Sequence, residues 1–242
     1  MDWAGPAPLR ALALVVPGLT TVVEERWGTG RVLAGYVAAV LVAAVTGGIV
    51  GAAVGDTDGV AALLGGQAGF WLTLVLAVQL SGLERTSSLR RFRDELAWRD
   101  VPVGLFVGVL TQLVLLPVLY WPLSWLVDVD ELSKPAEELL DGESGIALAL
   151  VGIGVVVIAP VVEELFFRGL LLETLRRRWS TMVAVAGSSV FFGATHFQPL
   201  QFAGLTLAGL VFAVAVVRTG RLGAAIAVHV GFNATTFVLL AM

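Results

Sequence analysis

The chain has 242 residues, of which 57% are hydrophobic and 14% charged, with a formal net charge of -4. A soluble domain of this length carries nearer a quarter charged residues, and the mean hydropathy of +0.90 also excludes that class. There are no cysteines, which excludes disulfides and thiolate chemistry.

The N-terminal stretch carries Asp2, Pro6 and Pro8 and a short apolar run, Ala11 to Pro17, without a signal-peptide pattern. Leu9 to Val23 could form an interfacial or re-entrant helix, which leaves an eighth span open. Seven apolar runs follow, most near the ~20 residues that cross a ~30 Å bilayer core. They are expected at Val32–Val54, Val60–Leu83, Pro102–Val127, Gly145–Leu172, Thr181–His196, Leu200–Val217 and Leu222–Met242. The expected fold is all-α, a polytopic transmembrane helical bundle forming one integral membrane domain over residues 1–242. Small residues in the first two spans (Ala43-Ala44, Gly47-Gly48, Gly51-Ala52-Ala53) permit close helix packing, expected within the molecule.

Charge placement sets an orientation. Arg10, Arg26 and Arg31 precede the first span; Arg85, Arg90, Arg91, Arg93 and Arg99 lie between the second and third. Arg176, Arg177 and Arg178 follow the fourth, and Arg218 and Arg221 separate the last two. The alternate loops hold Asp56, Asp58 and the acidic stretch Asp128 to Glu143. By the positive-inside rule the arginine side is cytoplasmic, with the N-terminus inside. Of the 15 basic residues only Lys134 is a lysine, and this Ala/Val/Gly/Arg-rich composition suggests a bacterial inner membrane protein. Glu84 to Asp100 reads as a solvated connector. The seven acidic residues of Asp128 to Gly145 lack the spacing of a calcium loop and read as a solvated external segment.

Within these apolar runs stand Glu163, Glu164 and Arg168, then His196, then His229 and Asn233. Ionisable groups in hydrocarbon cost about 2.5 kcal/mol or more each on insertion, so their retention points to use. Counting 1.5 Å per residue from the arginine side puts Glu163 at ~20 Å, His196 at ~22 Å, His229 at ~12 Å and Asn233 at ~18 Å. Glu164 and Arg168 stand i,i+4 with the acid first, the favourable order for an ion pair. That pairing leaves Glu163, about 100° around the helix, free for chemistry. Phe192 and His196 share a face, as do His229 and Asn233. Such a set serves either hydrolysis or proton transport, since Glu and His also form relays. A lone buried His or Asn would more often be an interhelical hydrogen-bonding residue.

Glu163-Glu164-x-x-x-Arg168, Phe192-x-x-x-His196 and His229-x-x-x-Asn233, in this order, resemble the three motifs of the CPBP (CAAX protease and bacteriocin-processing, or Abi) family of intramembrane proteases. The similarity covers residues 145–242, the expected catalytic core. It implies an endopeptidase acting in the lipid bilayer on a membrane-associated peptide or protein, without nucleic acid. It further implies that Glu163 with His196 activates water, that His229 and Asn233 stabilise the oxyanion, and that Glu164 and Arg168 shape and balance the site. A buried glutamate suits proton transfer near neutral pH, and oxyanion donors act most strongly where water is scarce. The family is also described as metalloproteases, and Glu163, His196 and His229 would be the two-His, one-carboxylate zinc set. There is no His-Glu-x-x-His motif, and a metal-free glutamate mechanism is slightly favoured. A proton- or solute-coupled transporter and a non-catalytic membrane scaffold are the alternatives; no repeated half of the transporter kind is found.

Overall fold

A computed structural model describes residues 28–57, 59–81, 97–125, 129–140 and 145–241. The expected Leu9–Val23 segment, the arginines at 10, 26, 85, 90, 91 and 93, most of the connector from Glu84 and part of the acidic stretch lie outside these residues. The described elements are helical: α1 Thr29–Val54, α2 Val60–Leu80, α3 Asp100–Tyr120, α4 Lys134–Leu140, α5 Gly145–Arg176, α6 Thr181–Ala194, α7 Phe202–Thr219 and α8 Leu222–Ala241.

Six of these are long and apolar enough to cross a membrane, and α6 is a shorter apolar helix. Among the described residues this is a multi-pass membrane protein with about seven apolar helices. The fifth expected span, Thr181–His196, is this short helix: its 14 residues reach ~21 Å against the ~30 Å of hydrocarbon. It stops because Phe197 takes φ 55°, in the left-handed region that a helix of L-residues cannot continue through. His196 therefore sits in the turn just past a short helix, well inside the bundle's length.

Leu41, Val45 and Ile49 form an exposed apolar stripe on α1, the expected face toward lipid. Exposed tryptophans mark both ends, Trp98 and Trp179 beside the arginines, Trp121 and Trp125 opposite, where amphipathic rings sit at the two interfaces.

Close helix contacts are made by glycines. A Cβ on Gly47 would lie 3.1 Å from Ala62 O, and one on Gly66 would lie 3.2 Å from Ala43 O, so α1 and α2 meet backbone to backbone. This is the intramolecular use expected of the small residues in the first two spans. On α3, Gly104 abuts Ala227, and Gly108 abuts the backbone of Val228 and Phe232 on α8. At the arginine end, Asp100 and Arg221 form a two-contact ion pair that ties the start of α3 to the start of α8.

The core is built around α5. From Leu165 to Leu172 every residue but Gly169 is buried. Phe166 and Phe167 pack edge-on at 5.3 Å, and Phe167 meets Phe192 of α6 at 5.1 Å.

Candidate active site

The α5 helix is not uniform. It contains two wide π-type stretches, Gly154–Ile158 and Leu165–Leu172, which flank the glutamates. Wide turns of this kind recur at functional sites. The first has a local cause and a long-range consequence. Ala159 N–H bonds to Gly154 O, five residues back. The next residue, Pro160, has no N–H to give to Val155 O. Asn233 supplies the missing donor: its Nδ2 reaches Val155 O at 2.8 Å.

The two glutamates face different surroundings. Glu164 is fully buried, and its Oε1 accepts from Arg168 Nη1 at 2.9 Å and from His229 Nδ1 at 2.9 Å. Arg168 Nη2 donates to Gly209 O on α7 at 2.9 Å. Its guanidinium carbon lies 4.6 Å from the centre of the Phe192 ring and 5.3 Å from that of Phe212. With Phe167 at 5.7 Å, the buried cation has one carboxylate, one carbonyl and three aromatic rings around it, the compensation that burial of charge demands.

Glu163 keeps 17% of its side chain accessible. It lines a cavity of about 680 Å³ between α1, α2, α5 and the α6–α7 turn, together with His196, Tyr36 and Gln67. Its Oε2 stands 3.9 Å from His229 Nε2, beyond direct hydrogen-bond distance and within reach of a shared small group.

Both histidines are oriented by their Nδ1 atoms. His196 Nδ1 lies 2.8 Å from Phe192 O. A carbonyl only accepts, so Nδ1 carries the proton and Nε2 is the nitrogen left for chemistry. His229 stacks on Phe212 at 4.3 Å and gives Nδ1–H to Glu164, which turns Nε2 toward Glu163.

Glu163, Glu164, Arg168 and His229 therefore form one contiguous cluster, and His196 shares the Glu163 cavity. Asn233, one turn beyond His229, lines instead a second cavity of about 870 Å³ between α3, α5 and α8. Among the described residues no three His, Cys, Asp or Glu side chains are grouped to hold an ion.

Tyr36 is a participant that motif reading does not find. Its hydroxyl donates to Thr195 O at 2.9 Å, pinning the turn that carries His196, and its ring packs on Phe70, Phe191 and Phe166. The available signal was an aromatic hydroxyl inside the apolar first span.

Fold and cluster define a polytopic helical membrane protein with a buried carboxylate–arginine–histidine centre beside a cavity. Residues 145–235 match the family model described as type II CAAX prenyl endopeptidase Rce1-like, a match consistent with the CPBP intramembrane proteases. The segment holds all six polar residues. An uncharacterized 24.3 kDa protein of Escherichia coli is 37% identical over 89 residues, which cover 35% of this chain and 40% of that relative. The chain thus spans about two fifths of the length of the curated relative it matches. No solved structure matches the chain.

Proposed function

We propose that this protein is an intramembrane endopeptidase of a bacterial inner membrane, acting on a membrane-associated peptide or protein. The observation that carries the reading is the division of labour between adjacent carboxylates. Glu164 is fully buried with its Oε1 held by Arg168 and His229, while Glu163 keeps an accessible face in a cavity shared with His196. The family match over residues 145–235 supports peptide hydrolysis over the other uses of such a cluster.

In this reading Glu163, with His196 Nε2 as second acceptor, takes a proton from water as the water oxygen attacks the scissile carbonyl carbon. A C–O bond forms and the carbonyl electrons move onto oxygen. His229, protonated on both nitrogens at this stage, keeps Nδ1–H on Glu164 and presents Nε2–H to that charge. Collapse breaks the C–N bond, and the proton held by Glu163 passes to the leaving amine. Arg168 and Glu164 hold His229 in register. No step is routed through a metal. The end of the bundle bearing Arg31, Arg99, Arg176, Arg177, Arg178, Arg218 and Arg221 faces the cytoplasm in this reading.

The test is reconstitution of the full chain with a library of tethered peptides, alongside Glu163→Gln and His229→Ala, with and without chelator. Expected is cleavage that both substitutions abolish and chelator leaves unchanged. Cleavage by Glu163→Gln at the wild-type rate would overturn the assignment. Glu163-dependent movement of protons or solutes without cleavage would replace it with a carrier.

A further inference from the structure

The cavity holding Glu163 opens at a definite end of the bundle. Its inner part is bounded by Tyr36, Phe70 and Phe167, its outer part by Gly48, Thr57 and Gly59 at the α1–α2 turn and by Gln198 beyond α6. That end lies opposite the starts of α1, α3, α6 and α8 and the ends of α5 and α7, where the described arginines other than Arg168 are found.

The walls also have a direction. From Tyr36 to Gly48 the cavity follows α1 for twelve residues, or ~18 Å. An extended chain advances ~3.3 Å per residue, so about five residues fit along it. Along this path α1 presents the small residues Ala44 and Gly48, beside the Gly47–Gly66 contact with α2, while Gln67, Thr57 and Gln198 line the cavity with amide and hydroxyl groups. The pattern fits a peptide main chain with side chains of varied size better than it fits a compact solute. A Cβ added to Gly48 meets nothing within 4 Å, so the outer cavity is open at this residue.

We propose that the site takes an extended segment of a membrane-tethered polypeptide from the extracytoplasmic side, laid along α1 between Gly48 and Tyr36 with its scissile bond at Glu163. The proposal rests on the protease reading above and adds the substrate's conformation and its side of entry.

Two glycines on α1 make the test. Gly30 and Gly48 both have open space where a Cβ would stand, but only Gly48 lines the cavity. Single-pass peptides carrying the same cleavable segment on either side of the membrane are co-expressed with the full chain. Cleavage of the extracytoplasmic placement is expected to be faster by about tenfold or more, and Gly48→Phe is expected to slow it by about tenfold while Gly30→Phe leaves it unchanged. The natural chain has no cysteine. Gly48→Cys is therefore the unique target for a membrane-impermeant maleimide, expected to react from the extracytoplasmic face and to block cleavage. Arg177→Cys is expected to react from the cytoplasmic face only.

Preferred cleavage of the cytoplasmic placement, full activity of Gly48→Phe, or full activity after modification of the Gly48→Cys variant overturns the proposal. In each of those cases the wild type still cleaves in a Glu163-dependent way. If the wild type cleaves neither placement and matches Glu163→Gln, the protease reading falls, and this proposal with it.

Discussion

Between α1 and α2 lies a cavity of about 680 Å³; between α3 and α8 lies a larger one of about 870 Å³. The smaller contains a carboxylate and a histidine. The larger is lined mainly by apolar side chains, with amides and hydroxyls such as Gln112, Asn233 and Thr236, and no carboxylate or histidine. One helix serves both, since α5 turns Glu163 to the first and Val155 to the second. Volume is thus a poor guide to chemistry in this bundle. What distinguishes the cavities is which face of α5 carries charge, and that face is set where Pro160 and the wide turns interrupt the helical repeat.

The largest expected effect tests the reactive side of this comparison. Glu163→Gln keeps the shape and removes the base, so cleavage of a tethered peptide should fall by about 10³-fold. Unfolding in detergent should be little changed. Arg168→Met leaves Glu164 buried with its cation gone. The expected loss of stability is about 3–4 kcal/mol, read by thermal or denaturant unfolding, because an uncompensated buried charge costs more than the pair contributes.

Asn233→Ala addresses the shared boundary between the cavities. It leaves Val155 O without its donor and should cost about 2 kcal/mol in unfolding. If Asn233 also serves the oxyanion, cleavage falls by about 10²-fold, with the turnover number affected more than the Michaelis constant. A stability loss with unchanged turnover would confine Asn233 to its helical contact.

Tyr36→Phe removes one hydrogen bond to the turn that carries His196 and should cost about 1 kcal/mol. Its specific readout is a lowered turnover number at unchanged peptide affinity. The smallest effect belongs to the apolar cavity. Gln112 Oε1 is buried without a partner, so Gln112→Leu should leave cleavage unaltered and change stability by about 1 kcal/mol or less, in the favourable direction.

The helices were legible because hydropathy and length report burial in lipid directly. The Glu164–Arg168 pair was legible because i,i+4 geometry is a property of one helix and needs no tertiary information. The end of α6 was legible to within two residues, at His196 against the observed Ala194, but the left-handed Phe197 that makes the turn has no strong compositional mark. Gly104-x-x-x-Gly108 was a readable signal for the close α3–α8 contact. The Asp100–Arg221 pair joins residues 121 apart in sequence and had no local signature.

By itself, then, the sequence determined the class of molecule, the order of its apolar helices, and which polar residues stand in apolar surroundings. Each of these follows from local composition and the helical repeat. Only the tertiary structure decided the partners across helices: His229 on Glu164, Arg168 on Gly209 O, Asn233 on Val155 O, and Glu163 toward an open cavity. The physical reason is rotational. Spacing says which residues share a face of one helix. Which way that face turns is set by where glycine backbones let helices approach, and by which carbonyls a proline leaves without a donor.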